Sequence, residues 1–335
     1  MGDRTVKGDP TVWTYPGQSA RARLVATAAR FFVRPVIGAW ARAPFAPWPY
    51  SLLEFFAALL PPVGGVRRTR VDLAHCVAER TVPRTSELTG SAILYLHGGA
   101  FLVGGVKSHR RLVSRIVRTT GVPALAVAYR QLSDGAPVST SLSDCMDGLN
   151  SLVASGIPID RIVVVGDSAG GYLALNVALE ARRSGLGMVG GIGAMSPIID
   201  LDPASKLAGP SPDLDRDALF PPRALNAMWA SIQRAEDGPD ECARLREIIG
   251  LTSTELAALP PLLIQAGSDE ILLPDAKALV AYSAAAGGAA RLEIYPGQVH
   301  VFQAAADVVP EGKVAINRMS AHIAEVLDRS GSIAA

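Results

Sequence analysis

The residues with the clearest chemical potential lie in Arg161–Tyr172, which reads Arg-Ile-Val-Val-Val-Gly-Asp-Ser-Ala-Gly-Gly-Tyr. The apolar run Ile162–Val165 is typical of a buried parallel strand, and a helical pattern begins at Gly171. Glycines two positions before and after Ser168 let strand and helix approach closely, which leaves the serine hydroxyl exposed at a strained turn. The pentapeptide alone also fits an ordinary glycine-rich loop, but in this context it predicts a nucleophilic serine.

A serine hydroxyl needs a general base near neutral pH, and the base needs an acid that fixes its tautomer. Asp269 stands in Gly-Ser-Asp-Glu directly after a predicted strand, and His300 follows the last predicted strand. Because open α/β sheets place ligand sites at the carboxyl ends of their strands, we expect both to meet Ser168 there. Glu270 remains an alternative acid, since only one of two adjacent carboxylates can face His300.

A glycine-rich loop earlier in the chain supplies a further candidate group. The predicted strand Ser91–Leu96 runs directly into His97-Gly98-Gly99, and glycines without side chains let backbone N–H groups face a developing alkoxide. This pattern predicts an oxyanion hole, with a plain glycine-rich turn as the alternative. His97 is expected to brace the loop and not to act as a base. The histidines interpreted as structural or solvated are His75, His109 and His322.

The remaining chain alternates between strand and helix patterns. From about residue 91 to 195, and again from 261 to 328, short apolar runs alternate with helical stretches. This alternation predicts an α/β fold with a mostly parallel central sheet and helices on both faces. Residues 68–83 are expected to add two antiparallel edge strands. Between about 200 and 259 no strand pattern occurs, which indicates an inserted, mostly helical segment.

The N-terminal region has a pattern of its own. Residues 1–20 are interpreted as a loose arm, and apolar residues then recur at helical spacing from Ala20 to Trp40 and from Pro49 to Leu60. These helices either pack into the core or cover an apolar substrate pocket. The aromatic residues expected to form the cover are Phe31, Phe32, Trp40, Phe55 and Phe56. We therefore divide the chain into a helical cap region (1–67) and a catalytic domain (68–335) with a cap insertion at about 200–259.

Composition argues against several classes of protein. Hydrophobic residues make up 49% of the 335 residues, which is enough for a globular enzyme core and too many for a disordered chain. The net charge of +1 offers no field that would recruit nucleic acid. Three scattered cysteines make a poor disulfide framework, and no cluster of histidines or carboxylates suggests a metal.

The apolar stretch 24–63 also bears on location. Arginines and prolines interrupt it, so we expect neither an integral membrane span nor a signal peptide. A reduced, cytoplasmic protein is the simplest interpretation, with peripheral membrane association left open.

Taken together, the motifs resemble those of the hormone-sensitive-lipase-like family of α/β-hydrolase esterases, in the subgroup that carries Gly-Asp-Ser-Ala-Gly. The resemblance covers about residues 68–330. Its most specific part is the joint presence of His97-Gly98-Gly99, Gly166–Gly170, Asp269 and His300.

This resemblance implies an α/β-hydrolase fold, no cofactor and an N-terminal cap over the acyl pocket. The implied catalytic triad is Ser168, Asp269 and His300. The oxyanion donors it implies, through their backbone N–H groups, are Gly98, Gly99 and Ala169.

The chain departs from the family pattern in two places. Ala100 stands where the family usually has a third glycine, which keeps the N–H and adds a methyl group near the substrate. After Tyr129-Arg130 the family generally has Leu-Ala-Pro-Glu, whereas this chain has Gln-Leu-Ser-Asp at 131–134. The second departure puts the structure of that loop in doubt and leaves the triad unaffected.

The predicted function is hydrolysis of short to medium acyl esters through an acyl-enzyme on Ser168. An amidase or peptidase with the same triad, and a non-catalytic ligand receptor on the same fold, are the alternatives. A receptor has no need of a base, so His300 favours catalysis. The expected partner is a small-molecule ester. The oligomeric state is left open, with a homodimer as one alternative.

Overall fold

The computed structural model describes residues 11–84, 90–207, 215–238, 242 and 244–333. These residues contain one nine-stranded sheet. Its strands are β1 (Val12–Thr14), β2 (Val66–Asp72), β3 (Val77–Pro83), β4 (Ala92–Leu96), β5 (Ala124–Ala128), β6 (Ile162–Asp167), β7 (Gly191–Met195), β8 (Leu262–Gly267) and β9 (Ala290–Tyr295). Their order across the sheet is β1-β9-β8-β7-β6-β4-β5-β3-β2.

Helices cover both faces of the sheet. They are α1 (Ala20–Ala28), α2 (Arg34–Trp40), α3 (Ser51–Ala58), α4 (Val106–Thr120), α5 (Val138–Ala154), α6 (Ala169–Arg183), α7 (Ala204–Leu207), α8 (Pro222–Ala235), α9 (Ser253–Ala257), α10 (Leu273–Ala285) and α11 (Pro310–Ile333). A π-helical segment, Ala29–Val33, joins α1 to α2. Among the described residues, no helix is both long and apolar enough to cross a membrane.

The sheet confirms the predicted mostly parallel α/β architecture. Among its described pairs, β2–β3 and β3–β5 are antiparallel and the others are parallel. The expectation of two edge strands in residues 68–83 is correct for β2 alone, because β3 pairs with a neighbour on each side.

The central strands explain why the sequence shows continuous apolar runs. Every residue of β4 and β6 is buried, since helices cover both faces. On one face, Leu94 and Val164 belong to a core that includes residues of α5 and α6. On the other face, Ile93 and Val165 pack in a core with residues of α4 and α11. This buried layer fixes the strand ends that carry the functional side chains.

Residues 11–19 correct the expectation of a loose N-terminal arm. β1 pairs with β9 at the edge of the sheet, and the ring of Tyr15 stacks on Tyr295 at a centroid distance of 5.5 Å. The guanidinium of Arg318 lies 4.0 Å from the ring centre of Trp13. Aromatic contacts therefore hold a segment whose prolines and glycine had suggested a loose chain. Residues 1–10 lie outside the described residues.

α1, α2 and α3, with their connections up to residue 61, form a region that we call the N-terminal helices. The buried residues of α1, α2 and the π-helical segment are all small, namely Ala22, Ala29 and Gly38. At Gly38, an added Cβ atom would lie 2.3 Å from the guanidinium of Arg223, so α2 crosses α8 closely. α3 has no buried residue. The N-terminal helices therefore touch the rest of the chain along a narrow stripe.

The segment 200–259 contains α7, α8 and α9, and its described residues contain no strand, as expected. The stretch 208–214, where the sequence is rich in proline, lies outside the described residues.

Candidate active site

Ser168 lies at the turn between β6 and α6, with a φ of 52° that is strained for a residue with a side chain. Its N–H donates to the carbonyl of Met195 at 2.8 Å, and its carbonyl accepts from the N–H of Ile198 at 3.1 Å. At Gly166, an added Cβ would lie 2.1 Å from the carbonyl oxygen of Gly170, so only glycine fits there. The predicted strand–turn–helix context of Ser168 is confirmed.

The carboxylate beside His300 is that of Glu270, so the expectation that Asp269 faces this histidine is wrong. Glu270 Oε2 lies 2.7 Å from His300 Nδ1, whereas Asp269 Oδ1 accepts a hydrogen bond from the hydroxyl of Ser268. The chain turns after β8, with the N–H of Glu270 donating to the carbonyl of Gly267 at 3.4 Å. Two adjacent side chains of such a turn point in different directions, and the turn buries the second carboxylate and not the first.

Both oxygens of the Glu270 carboxylate have partners. Oε1 accepts from the hydroxyl of Ser196 at 2.7 Å and from the N–H of Gly267 at 2.5 Å, which leaves Oε2 for His300. The hydroxyl of Ser196 also accepts from the N–H of Val301 at 3.1 Å. This network fixes the orientation of the carboxylate and couples it to the loop that carries the histidine.

The side chain of His300 is buried, and its Nε2 has no hydrogen-bond partner among the described residues. Although burial disfavours the charged ring, the hydrogen bond and the charge of Glu270 raise the pKa of His300. The ring of Phe220, from the segment 200–259, packs edge-on against it at a centroid distance of 4.8 Å. The imidazole is therefore held by its Nδ1, with Nε2 free to take part in proton transfer.

Asp217 connects the segment 200–259 to the loop of Glu270. One carboxylate oxygen accepts from the N–H groups of Leu219 and Phe220 at 2.7 and 2.9 Å. The other accepts from the N–H of Ile271 at 3.0 Å. Burial raises the pKa of this carboxyl. Asp217 therefore fixes the position of Phe220 relative to the loop that carries Glu270.

The glycine loop after β4 lies directly against Ser168. An added Cβ at Gly98 would come within 2.9 Å of the Cβ of Ser168, and Gly99 has a φ of 125° that favours glycine. Ala169 follows Ser168 as the first residue of α6 and is fully buried. The structure thus brings together the three residues predicted to form an oxyanion hole.

His97 braces this loop, as expected. Its Nδ1 lies 2.9 Å from the carbonyl of Gly98, and its ring stacks on Tyr129 at a centroid distance of 4.2 Å. Burial lowers the pKa of His97 to about 4, so the ring is neutral near pH 7.

Residues 131–134, which depart from the family pattern, form hydrogen bonds to the segment that follows the glycine loop. The side-chain amide of Gln131 donates to the carbonyl of Gly104 at 3.0 Å, and the N–H of Leu132 donates to the carbonyl of Phe101 at 2.8 Å.

Sequence reasoning missed a pair beside the nucleophile, the buried Asp167 and the half-buried His109. Asp167 Oδ2 lies 3.2 Å from His109 Nε2, and its Oδ1 accepts from the hydroxyl of Tyr95 at 2.6 Å. Although burial disfavours both charges, their mutual attraction lowers the pKa of Asp167 and raises that of His109. Nothing in the sequence links a histidine on α4 to the residue before Ser168, because only the packing of α4 on the sheet brings them together.

Ser168 and His300 open into one large cavity of about 910 Å³. The N-terminal helices contribute aromatic side chains to its wall, namely Trp40, Trp48 and Tyr50. Of the five aromatic residues expected to cover a pocket, Trp40 alone lines this cavity. The four phenylalanines, between 59% and 76% exposed, are Phe31, Phe32, Phe55 and Phe56. The expectation that they face the pocket is therefore wrong.

Comparison with known proteins identifies the fold and the family. Residues 93–304 match the family model described as the alpha/beta hydrolase fold. The chain is 36% identical to esterase LipU of Mycobacterium tuberculosis over 298 residues, which cover 88% of this chain and 98% of that protein. It is 33% identical to carboxylesterase/phospholipase LipF of the same organism over 319 residues, covering 94% and 84%.

Solved structures give the same result. The esterase EstE5 superimposes with a TM-score of 0.78 at 28% identity, covering 92% of this chain and 99% of that one. A hormone-sensitive lipase from a metagenome library also gives a TM-score of 0.78, at 25% identity, with the same coverage. The chain belongs to the α/β hydrolase fold family. Within it, these relatives place the chain among the hormone-sensitive-lipase-like esterases.

Proposed function

We propose that this protein hydrolyses carboxylic esters with Ser168 as nucleophile, His300 as general base and Glu270 as the acid that orients the base. One observation carries the proposal. The buried imidazole of His300 is bonded through Nδ1 to a fixed carboxylate and keeps Nε2 unpartnered among the described residues, in the cavity that also holds Ser168. A serine, a histidine and a carboxylate in these roles define a nucleophilic triad.

The reaction divides into two steps. The Ser168 oxygen attacks the ester carbonyl while His300 Nε2 accepts the serine proton, and the imidazolium then donates that proton to the leaving alcohol. Water attacks the acyl-enzyme in the same way, with its proton passing to His300 and on to the serine oxygen as the acid is released. Throughout, the Glu270 carboxylate accepts the Nδ1 hydrogen bond and stabilises the imidazolium.

The negative oxygen of the tetrahedral intermediate needs hydrogen-bond donors. We assign this role to the backbone N–H groups of Gly98, Gly99 and Ala169. The support is the contact of the glycine loop with Ser168 and the position of Ala169 at the amino end of α6, where the helix dipole favours negative charge.

The substrate class follows from the space around Ser168. A second, much smaller cavity of about 30 Å³ also touches Ser168, between Ala100 and Phe220. One arm of the ester can therefore be short, while the large cavity, with its aromatic wall, accepts a larger uncharged arm. We assign the short arm to the acyl group, with the N-terminal helices as a cap over the larger arm. The acetyl-hydrolase of Streptomyces hygroscopicus, 33% identical over 263 residues, has a name consistent with a small acyl group.

A series of p-nitrophenyl esters from acetate to laurate tests the proposal. We expect kcat/KM to be highest among short or medium chains and to fall for the longest, with the matched p-nitroanilides cleaved far more slowly. A fluorophosphonate probe should add one equivalent of mass to the peptide that contains Ser168. Labelling at another residue, or faster cleavage of the anilides, would contradict the assignment.

A further inference from the structure

The N-terminal helices expose far more apolar surface than the rest of the described chain. Of the 16 large hydrophobic side chains that are exposed among the described residues, 12 lie between positions 24 and 60. They are Leu24, Phe31, Phe32, Val33, Val36, Phe45, Leu52, Leu53, Phe55, Phe56, Leu59 and Leu60. Such a concentration of exposed apolar side chains in one region marks a binding surface, since single exposed residues are normal and clusters are not.

The long helix formed by α1, the π-helical segment and α2 has an inverted pattern. It turns its small residues, Ala22, Ala29 and Gly38, toward the protein and leaves Phe31 and Phe32 in solvent at 68% and 76% exposure. A helix that served only to cover the core would bury its largest apolar residues.

The exposed surface continues into the mouth of the large cavity. Val36, Leu53 and Leu60 line the cavity and are also 47–59% exposed. Val308, which lies outside the N-terminal helices, lines the same cavity at 52% exposure. An apolar surface that contacts these residues would therefore lie at the opening of the cavity that leads to Ser168.

The charge of this region identifies the kind of surface that it fits. Between residues 20 and 61 there are five arginines and a single acidic residue, Glu54. Arg21, Arg23 and Arg42 are exposed, and no acidic side chain pairs with any of them in the described part of the chain. Glu54 does not pair with these arginines, because its carboxylate accepts hydrogen bonds from the N–H groups of Lys107 and Ser108 at the start of α4. Aromatic and aliphatic side chains with unpaired arginines are typical of helices that lie in an anionic lipid interface.

We propose that the N-terminal helices dock on a lipid surface that carries anionic headgroups, with the mouth of the active-site cavity against that surface. A second copy of the chain fits the charge less well, because a two-fold contact through this face would bring the same arginines together. Delivery of a lipid-phase ester to Ser168 rests on the proposed esterase function. Docking itself does not depend on catalysis.

Co-sedimentation with large unilamellar vesicles tests the docking. The Ser168→Ala variant of the full chain serves as the reference protein, so that binding is measured without turnover. We expect it to bind vesicles of phosphatidylcholine with 30% phosphatidylglycerol, to bind pure phosphatidylcholine at least ~10-fold more weakly, and to be released by added NaCl.

Two variants isolate the apolar contribution. Changing Phe31, Phe32, Phe55 and Phe56 to Gln, in the Ser168→Ala background, should weaken binding to the anionic vesicles at least ~10-fold. The matched control changes Met188 and Tyr282 to Gln, which are exposed apolar residues outside the N-terminal helices, and should bind like the reference. With Ser168 present, the four-phenylalanine variant should hydrolyse soluble p-nitrophenyl acetate at the parent rate, which checks that it folds.

Three results would overturn the proposal. They are no binding of the reference protein to anionic vesicles, equal binding by the four-phenylalanine variant, and a dimer in analytical ultracentrifugation that this variant dissociates while vesicle binding is absent. The last would assign the face to self-association. Failure of the esterase proposal would appear separately, as unchanged turnover in Ser168→Ala.

Discussion

β6 and α3 are both rich in apolar residues, yet every residue of β6 is buried and none of α3 is. β6 lies at the centre of the sheet, where burial on both faces fixes the turn that carries Ser168. α3 is held to the body by polar contacts such as the cap that Glu54 makes on α4. The apolar residues of β6 therefore fix the position of Ser168, whereas those of α3 stay exposed, as the proposed docking on a lipid surface requires.

The largest expected effect is in the body. Ser168→Ala should lower kcat for p-nitrophenyl acetate by at least ~10⁴-fold, because it removes the proposed nucleophile. His300→Ala should fall by a similar order, and the double variant should lose little more, since the residues act as a unit. Unchanged melting temperatures would show that the fold is retained. Near-parent turnover in a pure Ser168→Ala preparation would remove the nucleophile assignment.

The second effect separates two adjacent carboxylates. Glu270→Gln should lower kcat by roughly 10³-fold, because it removes the charge that stabilises the imidazolium of His300. Asp269→Asn, the matched control one residue earlier, should stay within about threefold of the parent, since Asp269 bonds to Ser268 and not to the histidine. Steady-state kinetics on both variants distinguishes the two carboxylates. A larger loss of kcat in Asp269→Asn than in Glu270→Gln would make Asp269 the acid.

The third effect concerns pH. His300 must be neutral to accept the serine proton, and Glu270 raises its pKa above the usual 6.5. We expect kcat/KM to increase with pH through a midpoint above 6.5 and to be lost as pH falls below it. A profile with its midpoint well below 6.5 would show that Glu270 does not act on the charge of this ring.

The fourth effect is on stability and concerns the pair beside the nucleophile. Because the folded-state pKa of His109 is raised, the stabilisation from its charged form is fully present below about pH 6.5 and is lost as pH rises through the folded-state pKa. His109→Gln should therefore lower the free energy of unfolding by about 3 kcal/mol at pH 6 and by less at pH 9. Urea unfolding at the two pH values measures the difference, and a pH-independent loss would indicate that only packing is affected.

The smallest effect is in the N-terminal helices. Although burial disfavours its charge, the hydrogen bonds from Ser108 and Lys107 lower the pKa of Glu54, so its contribution is present above about pH 4.5 and is lost as pH falls through the lowered value. Glu54→Gln should cost about 1 kcal/mol at pH 7, as expected for a lost helix cap.

The solvent-facing control on the same helix, Ser51→Ala, should cost less than about 0.5 kcal/mol. If Glu54→Gln and Ser51→Ala lost the same free energy of unfolding, the hydrogen bonds of Glu54 to α4 would not be what holds α3.

Several elements could be predicted from the sequence because their signals are local. The run Ile162–Val165 predicted a buried strand, and the structure has β6 from Ile162 to Asp167. The predicted strand Ser91–Leu96 is β4, which runs from Ala92 to Leu96. The position of Ser168 at the turn after β6 followed from glycines whose missing side chains the turn requires.

Other features could not be predicted, because they depend on contacts between distant segments. Val12–Thr14 pairs with β9, more than 270 residues later, so no local pattern marks it as a strand. The prediction that Phe31 and Phe32 of the long N-terminal helix face the pocket was also wrong. A helical period shows that one side is apolar but not whether that side meets protein, a ligand or solvent.

The sequence by itself determined the α/β layering and the strained turn at Ser168, because strand burial and glycine geometry depend on neighbouring residues. It also placed a histidine and two adjacent carboxylates downstream of that turn. Only the tertiary structure decided between Asp269 and Glu270. The two carboxylates differ by one position and by nothing that a sequence pattern registers. The turn after β8 and the donors from Ser196 and Gly267 bury one of them against His300. That choice is made by directions in space, which a linear order of residues does not specify.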